Sequence, residues 1–327
     1  MTRLARVELR RLLRRRLTLF VVLGILLAVG LQVFQTGLQA RPMSDSERVR
    51  VTADYERAQR DFAQNGEQQR QECLQAQADA RTGDPTADFG CDMHAPALKD
   101  FLKPQLSFAG EVPGVLSGGA VLLALAALVL GAGFTASEFS TGSIGTWLTF
   151  EPRRLRVYGS KLLAAGAGVV PLAVLTLATM TAAVWVFAHL WGSTTGPAGT
   201  WAHIAAVGGR AVLLVVAVAV AGAAMGILLR HTAAVLGVAL GWAIAGEGIL
   251  GNNIRSAQPW LLSTNLTGWL QHGTSYLVDR CASSDGGYSC ETIEQPLSFA
   301  HSATYLAVLV VALVLVAALV FRRRDVR

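Results

Sequence analysis

Apolar residues gather into six stretches, 17–39, 115–136, 162–190, 203–229, 232–251 and 303–321, with the polar residues collected between them. Each stretch can cross a hydrocarbon core of about 30 Å as a helix, which takes roughly 20 residues. Backbone groups in lipid must be satisfied inside helices or closed barrels, and runs this long are not barrel strands. The pattern predicts an all-α polytopic membrane protein with six transmembrane helices. Its remaining parts are an interfacial helix over 1–16, two outer segments at 40–114 and 252–302, an inner loop at 137–161 and a basic tail at 322–327.

Charge orients these segments. Of the 28 Lys and Arg, 16 fall in 1–16, 137–161, 230–231 and 322–327, beside only Glu8, Glu138, Glu151 and Asp325. Segments 40–114 and 252–302 together hold 11 basic and 17 acidic residues. Basic segments stay in the cytoplasm, so both termini are expected inside, with the chain in the plasma or bacterial inner membrane. The net charge of +6 is then a topology signal that calls for no nucleic-acid partner.

Cys73 and Cys91 lie in the first outer segment, Cys281 and Cys290 in the last. An even count on the outer side reads as two disulfides, most simply Cys73–Cys91 and Cys281–Cys290. A metal site is disfavoured, since no C-x-x-C occurs and only His94 is near a cysteine in sequence. The first apolar run outlasts a signal-peptide core of about 7–15 residues and lacks a good cleavage site, so it reads as an uncleaved helix.

Ahead of that run, Leu4, Val7, Leu9, Leu12 and Leu13 recur at near-helical spacing among arginines. This suits an interfacial helix gripping anionic headgroups, or a plain positive-inside anchor. Residues 44–80 contain no proline and one interrupting glycine, Gly66, and Ser44 with Glu47 fits a capping box. One long helix or a pair is expected there, broken at Gly83-Asp84-Pro85 and stapled by Cys73–Cys91. Segment 252–302 mixes Trp260, Trp269 and Tyr276 with the turn-rich stretch 283–287, which reads as short interfacial helices around a disulfide-closed loop.

The inner loop carries the most specific pattern. Glu138 leaves the membrane, a Gly/Ser/Thr turn follows at Gly142-Ser143, and a short apolar helix bears Trp147, Leu148 and Phe150. Pro152 ends that helix, then come Arg153, Arg154 and Arg156, and Lys161 opens the next span. Trp147, Leu148 and Phe150 would make an exposed apolar knob that a moving partner could push. This E-x(3)-G-[ST] turn with a later proline, arginine and lysine resembles the permease subunits of ABC-2-type exporters. The resemblance implies a coupling helix seated in a cleft of a separate ATPase subunit. It carries over onto Glu138, Gly142, Ser143, Pro152, Arg153, Arg154 and Lys161, with the tandem arginines leaving open which one is the motif position.

Other readings bound the role. No G-x-x-x-x-G-K-[ST] occurs, so the chain is not itself an ATPase; ATP and Mg would sit on the partner, and no cofactor is expected on this chain. Hydrolase motifs are missing as well, which argues against an intramembrane enzyme. Arg210 and Glu247, both toward the outer ends of their spans, are expected to pair at the outer rim, the alternatives being pathway lining or snorkelling. Gly222-x-x-x-Gly226 and Gly237-x-x-x-Gly241 suit close helix packing. Six helices without an internal repeat would form half a pathway, completed by a second permease subunit. The expected function is the permease of an ATP-driven ABC-2-type exporter. The alternative is a non-transporting membrane protein whose outer domain senses a ligand or assembles an envelope complex.

Overall fold

The computed structural model describes residues 2–83, 87–150, 152–284 and 287–323. A short basic helix, α1 (Thr2–Leu13), precedes six helices long and apolar enough to cross a membrane. These are α2 (Arg16–Ala40), α5 (Phe108–Ser140), α7 (Arg154–Trp191), α8 (Thr200–Leu229), α9 (Thr232–Trp242) with its π-helical continuation Ala243–Leu250, and α12 (Phe299–Arg323). Between them lie α3 (Asp45–Arg81), α4 (Leu98–Phe101), α6 (Ser143–Phe150), α10 (Gly251–Asn253) and α11 (Leu262–Gln271).

The centre of the bundle is the contact between α5 and α8, and small residues create it. A Cβ on Gly131 would collide with the Ala219 carbonyl oxygen; one on Gly222 would lie 2.6 Å from that of Leu128. One helical turn further on, a Cβ on Gly226 would stand 2.7 Å from the Ala132 carbonyl oxygen. Backbones this close exchange polar contacts as well, and the Thr135 hydroxyl donates across the seam to the Ala223 carbonyl at 2.9 Å. In lipid, such packing supplies contacts that acyl chains cannot match. α7 completes a three-helix core through Val169, Ala173, Leu177, Met180 and Val184. By contrast α9 and α12 are mostly exposed, and a Cβ on Gly237 or Gly241 would meet nothing within 4 Å. The second glycine pair therefore packs against none of the described residues.

On the side of the bundle opposite the termini, α3 runs as one helix of 37 residues. Its capping box forms as the Ser44–Glu47 spacing implies: Glu47 N–H donates to the Ser44 hydroxyl at 3.3 Å, and Ser44 N–H to the Glu47 carboxylate at 2.8 Å. Those two groups of Ser44, its N–H and its hydroxyl, hold the Glu47 carboxyl below the usual range. Cys73 and Cys91 are bonded, and the Phe89 N–H donates to the Gln77 side chain at 2.9 Å. The bridge thus fastens the returning loop to the helix, and the one helix that comes back against α3 among the described residues is the short α4, whose Phe101 ring lies 5.8 Å from that of Tyr55. Of the expected break at Gly83-Asp84-Pro85, Asp84 and Pro85 lie outside the described residues.

The all-α expectation needs a correction in the last outer segment. After a 3-10 turn (Arg255–Trp260) and α11, the chain forms an antiparallel hairpin of β1 (Gly273–Ser284) and β2 (Gly287–Ser298). The register pairs Gly273 with Ser298 and sets Cys281 directly opposite Cys290, which are bonded. Tyr276, Val278, Thr292 and Ile293 favour the pleated backbone, and the two-residue connection Asp285-Gly286 lies outside the described residues. His272 at φ 66 ends α11 in the left-handed region and turns the chain into the strand.

The central seam tolerates no side chain at its glycines. Gly131→Val is expected to cost about 1–3 kcal/mol through overpacking. Gly237→Val should change stability by no more than about 0.5 kcal/mol. Thermal unfolding of both variants in detergent, followed by circular dichroism, checks the contrast.

Candidate functional site

α5 continues past its apolar run to Ser140, and its last turn closes with Thr141 N–H on the Ser137 carbonyl at 3.1 Å. Gly142 then reverses the chain at φ +68, a conformation open to glycine and strained for other residues. α6 follows for 8 residues. Pro152 and Arg153 (φ −80, ψ 84) break the helical path before α7 begins at Arg154. The result is a helical elbow between two long helices.

Three buried ionic groups meet beneath this elbow. The Lys161 ammonium donates to Glu138 at 2.5 Å and to Glu8 at 2.8 Å, and all three side chains are at most 1% exposed. Arg15 and Arg11 approach the other Glu138 oxygen at 3.4 and 3.6 Å. Arg15 also donates to the carbonyls of Gly133 and Phe134, at 3.2 and 3.0 Å, and to the Ser137 hydroxyl. Burial pulls the Arg15 guanidinium below its ordinary range, while Glu138 opposes that change. Aromatic faces enclose the cations: Lys161 lies 5.5 Å from the Phe134 ring centre and 5.7 Å from that of Trp147, with Arg11 5.3 Å from Trp147. One cluster of two acids and three bases therefore joins α1, α5, α6 and α7.

The cluster explains why α1 is docked and does more than float at an interface. Glu8, Arg11, Leu12 and Arg15 recur at helical spacing and line one side of the entering chain. Leu12 is 2% exposed, and its methyl would stand 3.0 Å from a Cβ on Gly168, so that glycine makes room for α1 on α7. The Thr18 hydroxyl donates to the Leu12 carbonyl at 2.5 Å across the bend into α2.

Of the residues singled out in the inner loop, Glu138, Trp147 and Lys161 come together. Glu138 and Lys161 are each 1% exposed and face one another inside the elbow. Trp147 turns its ring toward Arg11 and Lys161, so it is not part of a free apolar knob. Ser143 accepts from the Thr141 hydroxyl at 3.3 Å at the start of α6. Arg154 donates to the Arg322 carbonyl at 3.5 Å, which ties α7 to the end of α12. The side chains of Leu148 and Phe150 lie outside the described set. Glu8, Arg11 and Arg15 were not among the residues the loop pattern selected; the signal available was a single glutamate in a helix otherwise charged only by arginine.

The expected Arg210–Glu247 pair does not form. Arg210 donates to the Leu270 carbonyl at 3.0 Å, and its own carbonyl accepts from Trp269 at 2.9 Å. Glu247 accepts from the Leu262 and Ser263 N–H groups at 2.8 and 3.3 Å, and from Trp242 at 3.0 Å. The opening turn of α11 carries N–H groups with no acceptor in their own helix, and a carboxylate there satisfies them and the helix dipole together. Both residues hold α11 against the bundle from different sides.

Lys161→Met leaves Glu8 and Glu138 facing each other without their shared cation and is expected to cost about 3–5 kcal/mol. The Lys161→Met/Glu138→Gln double variant should lose less than the two single losses combined, because the groups act as one unit. Denaturant titration of the purified variants measures the coupling, and simple additivity would show that the groups are independent.

Comparison with known proteins gives one assignment. The family described as ABC-2 family transporter protein matches residues 2–326. No curated protein and no solved structure gave a match. The match spans the basic helix, the elbow and all six long helices, and the chain is a membrane-spanning permease of the ABC-2 transporter family.

Proposed function

We propose that the chain is the permease subunit of an ATP-driven exporter and that α6 is its coupling helix. The observation that carries this reading is the buried cluster beneath α6. A load applied to a short loop helix is lost unless its base is braced, and here the brace reaches three further helices at once. Lys161 stands at the start of α7, Glu138 at the end of α5 and Glu8 on α1. A push on α6 then tilts α5 and α7 together, and α8 follows through its glycine seam with α5.

In this reading a separate ATPase subunit binds ATP and Mg on the cytoplasmic side, and the excess of arginines in the terminal and elbow segments supports assigning both termini to that side. Closure of two ATPases shifts the α6 elbows of two permease subunits and biases a two-state helix arrangement toward outward release. Arg153, at the break before α7, suits acidic groups on the partner or lipid headgroups.

Co-expression with a candidate ATPase tests the reading. The wild-type chain is expected to co-purify an active ATPase. Trp147→Ala/Arg153→Ala, which removes the ring packed on Arg11 and Lys161 together with the arginine at the break before α7, should lose assembly, or lower substrate-linked hydrolysis roughly tenfold, as a change of about 1.4 kcal/mol would. A chain that binds no ATPase, or loop variants with unchanged hydrolysis, would overturn the coupling role and return attention to the outer α3 segment.

A further inference from the structure

A second feature of the elbow faces away from the charge cluster. Between the start of α6 and the connection from α8 to α9 lies an open cleft of about 250 Å³. Phe139 and Ile144 form its apolar wall, while Ser140, the Gly142 turn, Arg230 and His231 form its polar rim. Arg230 is fixed by its backbone at φ 58, and its guanidinium stands 5.2 Å from the Phe139 ring centre. Among the described residues it makes no ion pair, and no carboxylate lines the cleft. The first N–H groups of α6 lack acceptors in their own helix and add partial positive charge on the opposite wall.

The occupant this arrangement fits is an anion, and its place in the fold says which kind. Arg230 and His231 alone separate α8 from α9, whose flanking residues Leu229 and Thr232 already belong to membrane-length helices. A connection this short cannot reach beyond the headgroup layer, whereas a soluble partner's acidic side chain would have to descend into it. We propose that the cleft binds the phosphate of an anionic phospholipid on the side of the membrane that holds the termini, bridging the Gly142 turn to the α8–α9 connection. The proposal requires only this chain and a bilayer, so it stands or falls separately from the export reading.

The test is native mass spectrometry of the full chain released from nanodiscs of phosphatidylcholine doped with phosphatidylglycerol. Wild type is expected to retain phosphatidylglycerol over phosphatidylcholine. Arg230→Gln should weaken that retention about fivefold, the worth of one basic side chain at an anionic surface. Arg230→Lys should keep most of it. Arg10→Gln, which removes another exposed arginine from the same side but outside the cleft, should weaken it clearly less than Arg230→Gln. Retention unaffected by Arg230→Gln, or lowered equally by Arg10→Gln, overturns the site. Binding of inorganic phosphate alone, with no preference among lipids, assigns the cleft to free phosphate and overturns the lipid. Intact lipid retention in an Arg230→Gln variant that no longer co-purifies the ATPase assigns it to an acidic partner and overturns it too.

Discussion

The structure depends on one ammonium group shared by two carboxylates. Lys161 is buried with Glu138 and Glu8, and an ion held away from water costs several kcal/mol unless every partner is in place. The requirement is therefore geometric. α1 must lie on α7, α5 must end where it does, and the elbow must fold back for the three groups to meet. Arg11 and Arg15, both partly exposed, then offset the second negative charge, and the rings of Phe134 and Trp147 pack on the buried lysine. A membrane protein that only needed an anchor would not commit five charged side chains to one point.

Two kinds of packing follow from that point. α5, α7 and α8 are held by backbone-close contacts at glycines and by a threonine bond across the seam, which leaves little freedom to slide. α9 and α12 contact the rest along narrow lines and keep wide apolar faces exposed. The closely packed trio is also the part joined to the elbow, through Glu138 on α5 and Lys161 on α7. The exposed helices are free to meet lipid or a second subunit. Close packing is thus concentrated next to the elbow, and exposed apolar surface on α9 and α12.

Much of this was legible in the sequence because membranes leave few options. Apolar runs of span length can only be helices in lipid, so the six long helices follow from hydropathy alone. The elbow was legible from Glu138, Gly142, Pro152 and Lys161, since each residue type has one local use at its place. The docked α1 was not. Its arginines satisfy a positive-inside helix whether or not it packs, and only Glu8 hinted at a partner far along the chain. The hairpin was missed for another reason: its alternation over 273–298 is interrupted by polar residues on both faces, although Asp285-Gly286 is a strong two-residue turn signal. The Arg210–Glu247 expectation failed because backbone groups of the α11 region were the nearer partners, and no pattern of side chains reveals those.

The order of the charged residues along the chain bears on how the protein is made. Glu8 and Glu138 both precede Lys161, and Arg11 and Arg15 precede Glu138. Synthesis runs from the N-terminus, so both Glu138 and Lys161 emerge after at least one of their counterions is already available. When the lysine at the head of α7 reaches the bilayer, two carboxylates are waiting for it. The costliest group in the fold never has to enter the membrane alone.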